Sequence, residues 1–171
     1  MKSFRFAIAA VVMLLCAVGF AQTDAQKPTD AQKSFDALKA LAGTWQAIYE
    51  GKPMQASLRV TSMGHAIVHE MKGDGPDNPI TMFYLEGDRL MLTHYCDAGN
   101  QPRMVGKLSP DGKTLDFNFV DVGNYSPAQG GHMQHAVFTF IDANHHTEEW
   151  TFMIEGGKPA EHARLDLERK N

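Results

Sequence analysis

From Thr44 to the end of the chain, apolar and polar residues alternate with a period of two, and turn-forming residues interrupt the alternation at short intervals. A strand sends successive side chains to opposite faces, so this pattern commits most of the chain to sheet. Segments 44–50, 54–62, 65–72, 80–86, 89–96, 103–108, 114–121, 133–142, 146–154 and 160–169 read as strands. Between them lie Gly51-Lys52, Met63-Gly64, Gly73-Asp74-Gly75-Pro76, Gly87-Asp88, Pro110-Asp111-Gly112, Asp142-Ala143-Asn144 and Gly156-Gly157, all with turn chemistry. Such a meander hides its two edges most simply by closing on itself. The expected fold is therefore all-β: one up-and-down antiparallel barrel of ten strands. No second long helical period accompanies the strands, which excludes α/β layouts.

The residues before the barrel divide into three parts. Lys2 and Arg5 precede an unbroken apolar run from Phe6 to Phe20, and Gly19-Phe20-Ala21 offers small residues at the positions a signal peptidase reads. A signal peptide over 1–21, cleaved after Ala21, is expected, and with it a periplasmic or secreted address. The run is about 15 residues, short of the roughly 20 that span a bilayer, so stable membrane insertion of the mature chain is not expected. Lipid attachment at Cys16 is the alternative, but Leu15 stands where a lipobox prefers a small residue. Residues 22–33 lack an apolar period and read as a flexible linker. The domain proper is expected over 34–171. Ser34 caps a two-turn helix carrying Phe35, Leu38 and Leu41 on one face and ending at Gly43.

Charge and cysteine usage narrow the function classes. Loss of the leader lowers the 16 basic residues to 14 against 20 acidic ones, a net charge of about −6. That disfavours nucleic acid and anionic membrane surfaces as partners. One cysteine, Cys96, remains, so no internal disulfide supports the barrel. There is no Gly-x-Ser-x-Gly, P-loop or Rossmann glycine pattern.

Candidate site residues cluster in the segment from His94 to Arg103. On strand 89–96, Leu90, Leu92, His94 and Cys96 share one face, while Met91, Thr93 and Tyr95 share the other. His94 and Cys96 can thus meet one ligand or share a proton. Asn100 and Gln101 fall in the following loop, where they can hydrogen-bond a ligand at a barrel mouth. The competing reading is a structured hairpin: Asn100 and Gln101 hold backbone groups, and Arg103 pairs with a carboxylate. Glu70, Glu148 and Glu149 are the carboxylates nearest apolar runs, without a visible partner. His65 and His69 share a strand face; His132 with His135, and His145 with His146, split their directions. No compact spacing supplies the converging ligands of a zinc site. The frequent methionines suit either a filled core or an adaptable pocket.

The stretch Phe35-Asp36-Ala37-Leu38-Lys39-Ala40-Leu41-Ala42-Gly43-Thr44-Trp45 resembles the start of calycin-type barrels, in which a short helix is followed by Gly-x-Trp on the first strand. Lipocalins, fatty-acid-binding proteins and nitrobindins share this arrangement. The resemblance implies a helix plugging one barrel end, structural roles for Gly43 and Trp45, and a basic residue, Arg164 or Arg169, stacked over Trp45. Met82-Phe83-Tyr84, Gly87-Asp88-Arg89-Leu90 and the run from Leu92 to Met104 are similar to a family of secreted, lipocalin-like bacterial proteins of unknown function. A more distant resemblance is to nitrobindins, through His162-Ala163-Arg164-Leu165-Asp166-Leu167-Glu168-Arg169, and it implies a haem ligand at His162. Arg164 and Asp166 share the face of His162, which fits a solvent-facing histidine instead.

These residues lead to a periplasmic or secreted binding protein that holds a small apolar or amphipathic molecule in its barrel, with no cofactor required. Ligand contacts are expected from His94, Tyr95, Cys96, Asn100, Gln101 and Arg103. Two other classes compete: a haem- or metal-binding protein centred on His162 or on His94 with Cys96, and an enzyme using His94 and Tyr95 at the barrel mouth. A fourth reading, a filled barrel acting as an interaction module, differs from the first in having no cavity.

Overall fold

The computed structural model describes residues 27–154, 156 and 158–170; the expected signal segment lies outside them. One helix, α1 (Asp30–Ala40), precedes ten strands: β1 (Gly43–Tyr49), β2 (Lys52–Thr61), β3 (Ala66–Lys72), β4 (Ile80–Glu86), β5 (Arg89–Tyr95), β6 (Gln101–Leu108), β7 (Thr114–Gly123), β8 (Gly131–Phe140), β9 (His145–Ile154) and β10 (Lys158–Arg169). Each strand pairs antiparallel with its neighbours, and β1 with β10 closes the barrel. The alternation and turn chemistry of the sequence therefore yield the expected up-and-down barrel.

The helix departs from expectation. It starts at Asp30, not after Ser34, because Thr29 is the better-placed cap: its Oγ1 accepts from the Gln32 backbone N–H at 3.1 Å. Asp30 adds negative charge to the first turn and pairs with Lys33 at 2.6 Å. Ser34 is a buried interior residue whose hydroxyl donates to the Asp30 carbonyl at 2.7 Å. The extra turn also buries Ala31 beside Phe35 and Leu38.

The helix closes one end of the barrel through a knot of contacts around Arg169. Trp45 Nε1 donates to the Leu41 carbonyl at 2.8 Å. Arg169 donates to the carbonyls of Ala40, Ala42 and Ala143, and its guanidinium lies 4.1 Å from the Trp45 ring centroid. The basic residue over Trp45 is thus Arg169; Arg164 faces outward, paired with Glu149 and Asp166. Gly43 has φ +145°, and a Cβ there would collide with Arg169 Nη1.

Inside, the half nearest the helix is filled. Phe83, Phe117 and Phe138 meet with ring centroids 5.4–5.9 Å apart, together with Ile67, Leu92, Met104 and Leu115, all fully buried. Among the described residues the β1–β10 seam is the shortest ladder, with Trp45↔Arg169 and Gln46↔Glu168, against seven pairs between β1 and β2.

Candidate functional site

The half of the barrel away from the helix is hollow. A cavity of about 700 Å³ opens there, within the size range of small-molecule sites. Strand alternation sets its walls: Met54 from β2, Met71 from β3, Met133 from β8 and Phe152 from β9 all face inward. A β-bulge between Met133 and His135 resets the alternation of β8 and places Met133 opposite Phe152. His94 and Trp150 meet at the cavity with ring centroids 5.1 Å apart. Asp77 and Asp97, from the loops after β3 and β5, stand at the mouth.

His94 has the chemistry of a receptor group. It is 2% exposed, and its Nδ1 shares a 2.8 Å hydrogen bond with Thr81 Oγ1 on the adjacent strand. Nε2, the ring atom reaching farthest from the backbone, has no partner. Burial first, and the charge of His69 second, lower the pKa of His94 to about 4. The ring is therefore a neutral imidazole at neutral pH, set in the cavity wall with an enclosed, unpartnered Nε2.

Below it lies a buried polar column. Trp150 Nε1 donates to Glu148 Oε2 at 3.1 Å, and the other carboxylate oxygen is shared with His146 Nε2 at 3.1 Å. His69 Nε2 comes within 3.3 Å of the same oxygen but out of line for a hydrogen bond. Glu148, His146 and His69 are all essentially unexposed. Burial alone would push the Glu148 carboxyl up; the charge of His69 and the hydrogen bond of His146 reverse this and hold it well below the carboxylate range. His146 in turn meets Trp45 edge-on at 4.2 Å. Side chains in contact thus connect Arg169 at the plugged end with His94 at the cavity.

The residues expected from the sequence fall in different places. His94 and Cys96 line the cavity, and burial pushes the Cys96 thiol pKa up, keeping it protonated. Tyr95 points to the other side of the wall and is 44% exposed, so it shares no site with His94. Asn100 is buried and ties its loop to β8 through Nδ2 and the Gly131 carbonyl at 2.9 Å. Gln101 is the first residue of β6, and its Nε2 donates back to the Gly99 carbonyl at 3.3 Å. Arg103 grips Asp121 with two bonds, 2.8 and 2.6 Å, on the outer surface.

Haem at His162 does not fit this arrangement. The ring lies on the outer face, with Nε2 3.1 Å from Glu149 and Nδ1 3.2 Å from Thr151, while Ala163 and Leu165 are the β10 residues that face the cavity. Among the described residues no three His, Cys, Asp or Glu side chains are arranged to hold a metal ion.

Sequence reasoning passed over the column. Its signal was parity: His146, Glu148 and Trp150 are each two apart on β9, so an inward Trp150 carries the other two inward with it.

No family model matches the chain, and no curated protein does. Solved structures do. Rv2717c from M. tuberculosis superposes with a TM-score of 0.61 at 14% identity, over 81% of this chain and 98% of that one. A protein of unknown function from the DUF3598 family of Nostoc punctiforme PCC 73102 gives 0.53 at 10% identity, over 78% of this chain and 49% of that one. At these identities the likeness is one of fold, a closed barrel.

Proposed function

We propose that the mature chain is an exported binding protein that holds a small apolar or amphipathic molecule in the open half of its barrel. The observation that carries this reading is the cavity itself, walled by methionines and aromatic rings, with His94, whose Nε2 is unpartnered among the described residues, in its lining. Methionine walls adapt to varied apolar shapes, and one buried polar atom orients what they hold. Export rests on the leader: basic residues, an apolar run and Ala21.

The test is binding of a neutral fluorescent apolar dye, N-phenyl-1-naphthylamine, compared between the native chain and Ala163→Phe, which fills the cavity from β10. The native chain is expected to bind the dye and the filled variant to lose most of it while keeping its circular dichroism spectrum. Equal dye binding by both sinks the proposal. The N-terminus of protein recovered from the periplasm is expected at Gln22. An absorbance spectrum of that material tests the haem reading, whose remaining support is the free nitrogen of His94. A Soret band abolished by His94→Phe would replace the apolar ligand with haem.

A further inference from the structure

The charge around the cavity is one-sided. Asp77 and Asp97 are the charged side chains among its described lining residues, and neither Lys nor Arg is there. The Asp97 backbone N–H donates to the Asp77 carboxylate, which sets the β3–β4 loop against the β5–β6 loop and brings the two carboxylates together. The shallow groove beside the mouth adds Glu50 and Asp74 against a single basic residue, Lys52. Asp77 is half-buried. Burial first, and the charge of Asp97 second, raise its pKa, and a cation placed between the two groups would relieve the repulsion.

A pair of acids at a rim says little alone. Here it shares a cavity with an independent feature, His94, whose enclosed Nε2 has no partner among the described residues. A buried nitrogen without a partner carries a desolvation cost that a ligand hydrogen bond removes. The cavity thus combines an acidic pair, walls made mainly of methionine and aromatic side chains, and the unpartnered imidazole of His94.

We infer that the ligand is an amphipathic amine, with its ammonium at Asp77 and Asp97, its apolar body against Met54, Met71, Met133 and Phe152, and a hydroxyl or similar group at its buried end on His94 Nε2. This rests on the binding reading above and specifies the ligand class. An apolar body alone fills the walls and leaves both polar features unmet. A fatty acid or other carboxylate would bring a third negative charge to the rim or bury its charge at a neutral imidazole.

Four small probes separate these cases by calorimetry on the mature chain: tyramine, 4-ethylphenol, phenethylamine and 3-(4-hydroxyphenyl)propanoate. Tyramine is expected to bind about tenfold tighter than the propanoate, as suits partly exposed charges. Added salt is expected to weaken tyramine binding and leave 4-ethylphenol unchanged. The Asp77→Asn/Asp97→Asn double variant is expected to remove the preference for tyramine over the propanoate. His94→Phe is expected to remove the advantage of tyramine over phenethylamine. If 4-ethylphenol or the propanoate binds as tightly as tyramine, or the preference survives in the double variant, the inference falls and the apolar reading stands. Absence of tyramine binding by a chain that binds the dye overturns the inference too. A chain that binds neither dye nor probe overturns both.

Discussion

The two halves of this barrel are made by the same ten strands and the same inward alternation, yet one is solid and the other hollow. Near the helix, Phe83, Phe117 and Phe138 interlock, and Trp45 with Phe35 seals the end. Toward the far end, the inward positions carry Met54, Met71, Met133, Ala163 and His94, around an open space. Alternation decides which residues face inward, and side-chain volume at each level decides whether they meet. Three phenylalanine rings span a barrel interior; thin methionine chains and an alanine leave a gap.

Removing atoms should expose this difference most strongly. Phe117→Ala in the solid half is expected to cost about 3–5 kcal/mol, since the phenyl rings around it cannot collapse into the space. Met133→Ala at the cavity wall is expected to cost about 1 kcal/mol, because that side chain already faces a void on one side. Urea denaturation of both variants makes the comparison. Equal losses would mean that the far half is as tightly packed as the near one.

The polar column between the halves gives the next effect. Glu148→Ala leaves the His146 ring nitrogen and the Trp150 indole N–H buried without their acceptor, at an expected cost of about 3–5 kcal/mol. Glu148→Gln keeps an oxygen for Trp150 and is expected to lose less. A column with only a space-filling role would make the two substitutions equivalent in the same denaturation measurement.

Acid should act through the same region. His94 has a folded-state pKa of about 4 against an ordinary 6.5, so the unfolded chain binds its proton first. The stability this contributes is complete above pH 6.5 and declines as pH falls toward 4, by up to about 3 kcal/mol. Glu148, with its pKa lowered from an ordinary 4.5, contributes stability above that value and loses it in stronger acid. The stability of His94→Phe is expected to fall less than that of the native chain between pH 6.5 and 4. Parallel decline of the two would remove His94 from the account.

The barrel was legible because its two signals, alternation and turn residues, are local. Asp142-Ala143-Asn144 turns the chain between β8 and β9, and Gly43-Thr44-Trp45, weak as a short motif, gains its meaning from the strand signals that follow it. The site was legible only in part because it depends on non-local facts. The sequence places His94 and Cys96 on one face of β5 and Tyr95 on the other, and the structure agrees. It cannot show that Arg103 meets Asp121, eighteen residues away on β7, or that Asn100 reaches Gly131 at the start of β8. Met133 is subtler, because the bulge beside it changes which way it points. The helix start was less legible: Thr29 and Ser34 are both residues that can cap, and the earlier start also buries Ala31 against the barrel, which is a tertiary fact.

Adding atoms is the complement of removing them, and it gives the smallest expected effect. In the solid half, a Cβ on Gly106 would sit 2.5–3.0 Å from three carbons of the Phe117 ring, which is itself fixed between Phe83 and Phe138. Gly106→Ala is therefore expected to destabilise by about 1–3 kcal/mol, through overpacking. In the hollow half, Ala163→Phe adds far more volume, yet its new ring enters space that no described side chain fills. Its expected change in stability is within about 1 kcal/mol of zero, because gained apolar contact offsets lost side-chain freedom. The smaller substitution should thus do the greater damage, an inversion that thermal denaturation of the two variants reads directly. If Ala163→Phe proved the more destabilising, the cavity would be too narrow for a phenyl ring, and too narrow for the amphipathic ligand assigned to it.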